Sequence, residues 1–216
     1  GTAEEDFASA INTTTGVGSF GLSNSIRGVF SGLNSTSATT MEFVVMATDA
    51  DGVDFGDLNA GRGGNPQSAS HATRGVIAGG ENGSGVMNQM DYITIASAGN
   101  ATDFGNLTAA RNYGACVNST TRGIHIAGSQ SGTNNTMDYI TIGTTGNATD
   151  FGDTTTATNT RTAYHSSTKA YIVNTTEQIT MATAETGAGA SGSGGVKYYQ
   201  YYHVGPAEQL GAYGWG

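Results

Sequence analysis

The sequence predicts an all-β fold assembled from copies of one short unit, and three observations carry the prediction. Its 216 residues include 34 glycines against only 2 prolines, and 12% are charged. Glycine this frequent, without the Gly-x-y period of collagen, suits many short strands joined by tight turns. Sequence blocks recur in a fixed order at a period of about 48 residues, the signature of a repeat architecture. No amphipathic helical stretch of useful length interrupts them.

The first block is Thr73-Arg74-Gly75-Val76-Ile77-Ala78-Gly79, which returns as Thr121-Arg122-Gly123-Ile124-His125-Ile126-Ala127-Gly128. Earlier it reads Ile26-Arg27-Gly28-Val29-Phe30-Ser31-Gly32, and a worn copy spans Thr168 to Val173. It is short, apolar and ends in small residues, which suits a strand crowded around a central axis. The second block, Met90-Asp91-Tyr92-Ile93-Thr94-Ile95, returns at Met137–Ile142, with relatives at Met41–Met46 and Glu177–Met181. Its β-branched and aromatic content reads as strand. Tyr92 and Thr94 point to one face, Ile93 and Ile95 to the other, so both faces are covered.

The third block is a Gly-Asn turn followed by Ala-Thr-Asp-Phe-Gly, at residues 99–105 and 146–152. Its phenylalanines Phe7, Phe55, Phe104 and Phe151 mark the period, and the first of them places the start of the chain inside a repeat. The fourth block runs Ala109-Ala110-Arg111-Asn112-Tyr113-Gly114-Ala115, with relatives beginning at Arg62 and Arg161, and is read as the fourth strand.

Four short strands per unit of about 48 residues match the blade of a β-propeller. The order resembles a kelch-type blade. Ala78-Gly79-Gly80 stands at the Gly-Gly position, followed by Tyr92, Phe104 and Arg111, with Phe in place of the kelch Trp and the second Gly missing in the other copies. That resemblance covers residues 1–185 and implies about four blades of four short antiparallel strands. The wording also resembles Gly/Thr/Asn-rich repeats of virion proteins of marine and cyanobacterial tailed phages. It implies an appendage, fibre or decoration role, located in the virion.

Three repeats are complete, and the fourth has no Asp-Phe-Gly block after Met181. The chain start supplies one at Asp6-Phe7, so the N-terminal strand is expected to close the ring and remove a sheet edge. Residues 186–196 read as a Gly/Ser-rich linker, and residues 197–216 as a Tyr-rich tail. In that tail Tyr198, Tyr199, Tyr201, Tyr202 and Trp215 are the expected partner-binding residues, since such aromatics are enriched at interfaces.

The formal net charge is -9. Phosphate binding needs clustered Lys and Arg, so no nucleic-acid partner is expected. No run of 18 apolar residues exists, so no membrane insertion by a helix is expected either. Seven of the 8 basic residues fall at two repeat positions: Arg27, Arg74, Arg122 and Lys169 at one, Arg62, Arg111 and Arg161 at the other. A charge repeated once per unit is expected to be framework, paired with repeated acids such as Asp91, Asp103, Asp138 and Asp150.

Asp49, Asp51 and Asp54 alternate around Gly52 like a calcium loop, but the twelfth position of an EF-hand begun at Asp49 is Ala60, so the bidentate closing ligand is absent. They are weak metal candidates. His71, His125, His165 and His203 have no metal-ligand spacing, and Cys116 stands alone, expected as a small buried residue. No nucleophile elbow, P-loop or His-Glu-x-x-His is present, so no catalytic residue and no cofactor is assigned. The expectation is a non-enzymatic virion structural protein whose partners are other virion proteins, copies of itself, or a host-surface glycan. The alternatives are an extracellular, lectin-like propeller and, on weaker grounds, a kelch-type enzyme.

Overall fold

The computed structural model describes residues 20–31, 39–48, 50–130, 132–158, 162–173 and 177–182. The linker, the Tyr-rich tail, the Asp6-Phe7 segment, Asp49 and Arg161 lie outside them. The described chain is all β, without a helix, and its four small antiparallel sheets are arranged as a four-bladed β-propeller.

Blade one runs β1 (Phe20–Ser23), β2 (Arg27–Ser31), β3 (Thr40–Val45) and β4 (Val53–Asp57). Blade two begins with β5 (Gln67–Ser70) and β6 (Arg74–Ala78), inserts a two-stranded hairpin of β7 (Glu81–Asn82) and β8 (Gly85–Val86), and continues with β9 (Gln89–Thr94) and β10 (Thr102–Asn106). Blade three comprises β11 (Ala115–Asn118), β12 (Arg122–Ser129), β13 (Thr133–Thr141) and β14 (Thr149–Thr158), and blade four β15 (Ala163–His165), β16 (Lys169–Ile172) and β17 (Glu177–Thr180). Within each blade, strands that follow one another pair antiparallel.

Two sequence expectations need correction. The fourth block is not a strand: its arginines Arg62 and Arg111 are buried in a connector, and the strand begins a few residues later, at Gln67 and Ala115. Nor does the Arg-Gly strand line the axis. The strands that touch from blade to blade are β1, β5, β11 and β15, so these are innermost and the Arg-Gly strand is second. The small residues of that strand serve a different contact: Gly75 and Gly123 make room for Leu22 and Ala69 on the inner strand of the preceding blade.

The core lies between blades. Phe20, Leu22, Val29, Met41 and Phe55 of blade one pack on Ile77, Ile93 and Ile95 of blade two. Ala69, Val76, Met90 and Phe104 then meet Ile140 and Ile142, and Val117, Ile124, Met137 and Phe151 meet Ala170, Ile172, Ile179 and Met181. Each blade therefore has a forward face and a backward face. The alternation of the Tyr-Ile-Thr-Ile block serves this, because Tyr92 faces forward while Ile93 and Ile95 face back. Most of the apolar burial that stabilises the fold sits in these joints.

Each Phe of the Asp-Phe-Gly block sits at a register shift against its neighbouring strand, where a β-bulge aims the ring. The glycine that follows makes room for the next blade. Gly105 has φ 136°, and a Cβ there would lie 2.4 Å from the carbonyl oxygen of Gly146. Instead the turn of blade three lies along β10: Gly146 N–H donates to Phe104 O at 2.7 Å and Ala148 N–H to Asn106 O at 2.8 Å. The same contacts join Gly99 and Ala101 to Phe55 and Asp57. The outer edge strands β4 and β10 are thus capped by the loop of the next blade, not left to pair with strangers.

Candidate functional site

The repeated charges fall into two clasps with different chemistry. In the first, Arg62 reaches from the connector before β5 to Asp91 on β9, with Nη2 to Oδ2 at 2.9 Å and both side chains fully buried. Arg62 Nη1 also donates to the carbonyls of Gly79 (2.9 Å) and Gln89 (2.6 Å). The other carboxylate positions accept from the preceding blade, from Asn59 Nδ2 at 3.0 Å and Asn59 N at 3.3 Å. Arg111 repeats this with Asp138, which also accepts from Thr108 N at 3.0 Å and Thr108 Oγ1 at 2.6 Å. In blade four Glu177 takes the acid position and accepts from the backbone N–H of Thr155. Each acid ties the exit of one blade to the entry of the next.

Burial lowers the pKa of both guanidinium groups, and the facing carboxylates of Asp91 and Asp138 oppose that effect. Each pair is buried, joined to backbone carbonyls and set across a blade joint, which makes it framework, although Nε of Arg62 and of Arg111 has no hydrogen-bond partner among the described residues. The expected pairing therefore holds for Asp91 and Asp138. It fails for Asp103 and Asp150, which are exposed.

The second clasp uses no acid. Arg27, Arg74 and Arg122 lie over the rings of Phe43, Tyr92 and Tyr139, with the guanidinium carbon 4.3–4.4 Å from the centroid. Each ring in turn meets the edge of a bulge phenylalanine, Phe55, Phe104 or Phe151, at 6.0–6.2 Å. Arg74 Nη1 crosses the joint to donate to Ile142 O at 3.1 Å, and Arg122 Nη1 to Met181 O at 2.9 Å. The sequence held a signal for this cation–π stack. Where Arg becomes Lys169, the aromatic becomes Gln178, and Lys169 Nζ bonds Thr180 Oγ1 within its own blade.

His125 is fully buried, with Nδ1 3.0 Å from Gln67 Oε1 across the joint of blades two and three. Its Nε2 has no partner among the described residues. Burial, helped by the charge of Arg111, pushes its pKa down to about 3. With Gln67 Oε1 as acceptor, the neutral imidazole carries its proton on Nδ1. The Gln67 contact left no trace in the sequence, since the other copies carry Phe20, Ala115 and Thr162 at its position and Phe30, Ile77 and Ile172 at that of His125. Cys116 is half-buried, and desolvation pushes its thiol up to about 12, far from the reactive thiolate range.

Asp51 and Asp54 are exposed, and among the described residues no three His, Cys, Asp or Glu side chains gather to hold a metal ion. A pocket of about 310 Å³ opens between blades two and three, lined by Phe104, Tyr139 and the turn at residues 144–147. It presents hydroxyls and an amide, but no carboxylate, imidazole or thiol. Of the sequence-predicted site residues, the five tail aromatics and Asp49 fall outside the described residues, so no site is assembled from them. The buried ion pairs are the most developed polar constellation, and they join blade to blade. No protein-family profile matches this chain, and no curated protein matches it.

Proposed function

We propose that the chain is a non-enzymatic structural module of a tailed-phage virion, an appendage, fibre or decoration unit that assembles with other virion proteins or its own copies and presents its surface to the host. One observation supports the non-enzymatic half of this reading most. The buried charged groups Arg62, Asp91, Arg111 and Asp138 are engaged in blade-to-blade clasps, and the buried His125 bonds Gln67 within a joint. Catalytic sites instead leave perturbed groups facing a cleft. The virion half rests on the Gly/Thr/Asn-rich repeat wording, with blocks such as Met137-Asp138-Tyr139-Ile140-Thr141-Ile142. Low charge and hydroxyl-rich turns fit a particle surface that meets glycans.

The test is cryo-electron microscopy of native particles carrying the protein, with antibody labelling of the chain. Density for the propeller at a symmetric position on the particle is the expected result. Labelling confined to infected-cell lysate, with none on purified particles, would overturn the reading.

A further inference from the structure

Blade two links β6 to β9 through the short hairpin β7–β8, in which Glu81 pairs with Val86 and Asn82 with Gly85. The base of the hairpin is anchored. Gly63 N–H donates to Glu81 O at 2.7 Å, Glu81 N–H to Gly63 O at 3.0 Å and Met87 N–H to Gly80 O at 2.9 Å. The tip is free of the core: Gly83 and Ser84 are exposed, Asn82 is half-buried, and no residue from 81 to 86 enters a buried apolar cluster. Asn82-Gly83 is also the only Asn-Gly pair in the chain.

An asparagine holds an electrophile, its amide carbon Cγ, one residue away from a nucleophile, the next backbone nitrogen. Closing a ring between them swings the following residue past the asparagine side chain, and a Cβ there obstructs the motion. Gly83 has none, and nothing lies within 4 Å of where a Cβ would stand. Ser84 N–H donates to Asn82 Oδ1 at 2.8 Å, which curls the amide over the Gly83 peptide and sets a donor on the oxygen that gains charge when Cγ is attacked. Asn24 and Asn134 make the same bond, accepting from Ile26 N–H at 2.8 Å and Thr136 N–H at 2.6 Å, but Ser25 and Asn135 follow them. Three asparagines thus share one side-chain turn and differ in the residue that comes next.

We propose that Asn82 is a self-modification site, converted in water to aspartate and isoaspartate by its own Gly83. The Gly83 nitrogen bonds to Asn82 Cγ, the Cγ–Nδ2 bond breaks, and the peptide proton leaves with the amide nitrogen as ammonia. Water then opens the cyclic imide. Attack at Cγ restores the original main chain and leaves aspartate; attack at the backbone carbonyl leaves isoaspartate. No electrons change hands and no cofactor takes part. The product adds one negative charge to the formal net charge of -9 and sets a second carboxylate beside Glu81, whose Oε2 accepts from Asn112 Nδ2 at 3.1 Å. Isoaspartate also routes the main chain through Cγ, which lengthens β7 by one methylene and pulls residue 82 out of its pairing with Gly85. The blade core does not depend on the tip, so the converted chain keeps its fold and carries a mark on one blade that accumulates with age.

The test is to incubate the full folded chain in mildly alkaline buffer and follow each asparagine by peptide mass spectrometry, with enzymatic methylation to report isoaspartate. Asn82 should convert about tenfold faster than Asn24 or Asn134, a difference of about 1.4 kcal/mol in barrier, and should yield both products. Gly83→Ala, which has open space for its methyl group, should slow the site by a similar factor without disturbing the fold. Ser25→Gly, at an exposed position, should in turn speed Asn24. Conversion at Asn82 no faster than at Asn24 and Asn134 would overturn the proposal. So would aspartate without isoaspartate, which marks direct hydrolysis of the amide, or a rate that Gly83→Ala leaves unchanged.

Discussion

The guanidinium of Arg62 lies 2.9 Å from the carboxylate of Asp91, and neither side chain touches solvent. Removing one partner leaves the other charged, buried and unpaired. Asp91→Ala should therefore cost about 3–5 kcal/mol in denaturant unfolding. The double variant Arg62→Met, Asp91→Leu should recover much of that loss, because it removes both charges. Strictly additive losses in the double-mutant cycle would show that the pair is not a coupled unit.

The glycine after the bulge phenylalanine separates backbone strain from simple crowding. Gly105→Ala meets both a φ of 136° and the carbonyl of Gly146 at 2.4 Å, so it should destabilise by about 2–4 kcal/mol. Gly143→Ala, with nothing within 4 Å, should stay within about 0.5 kcal/mol of the parent. Thermal unfolding of the two variants side by side checks the contrast.

His125 makes stability depend on pH in one direction. Its folded pKa is about 3, below the ordinary histidine value of about 6.5. Between these values the unfolded chain binds a proton that the folded chain does not. The contribution is thus fully present above about pH 6.5 and lost as pH falls toward 3, by up to about 1.4 kcal/mol per pH unit. His125→Ile, which copies Ile77 of blade two, should flatten this slope relative to the parent. Parallel unfolding midpoints of parent and variant from pH 7 to pH 4 would refute the assignment.

The cation–π clasp can be added where it is missing. Lys169→Arg with Gln178→Tyr rebuilds in blade four the stack seen at Arg122 and Tyr139. The pair should raise stability by about 0.5–2 kcal/mol, more than the sum of the single changes. Arg122→Gln should lose a similar amount, since it also forfeits the bond to Met181 O.

Much of this architecture was legible in the sequence because the repeat reports one environment several times. The Tyr92-Ile93-Thr94-Ile95 alternation gave both the strand and its two covered faces, whereas the tight turns lie at Thr94–Ser97 and Thr141–Thr144, just before the Gly-Asn pairs read as turns, which instead lie along the preceding blade. The inner strand was misplaced because Gln67-Ser68-Ala69-Ser70 and Ala115-Cys116-Val117-Asn118 share little wording, while the arginines before them repeat plainly. Charge is what repeats, and here it marks a connector. The split of the arginines into ion-pair and cation–π clasps depends on which face each side chain crosses, a three-dimensional property that spacing alone does not carry. The contact of His125 with Gln67 is a single event without a repeat, so nothing in the sequence reinforced it.

The clasps that bind Asp91 to Asn59 and Arg62, and Asp138 to Thr108 and Arg111, also constrain how such a chain can change length. Both of these joints place the same Arg–Asp pair at the same phase of the repeat. Recombination that adds or deletes one whole period re-creates each buried pair at the new junction. A crossover out of phase strands a guanidinium or a carboxylate without its mate. Genes encoding this chemistry can therefore gain or lose blades by unequal exchange between copies, but only in whole units, and the number of blades can drift while the wording within a blade is held fast.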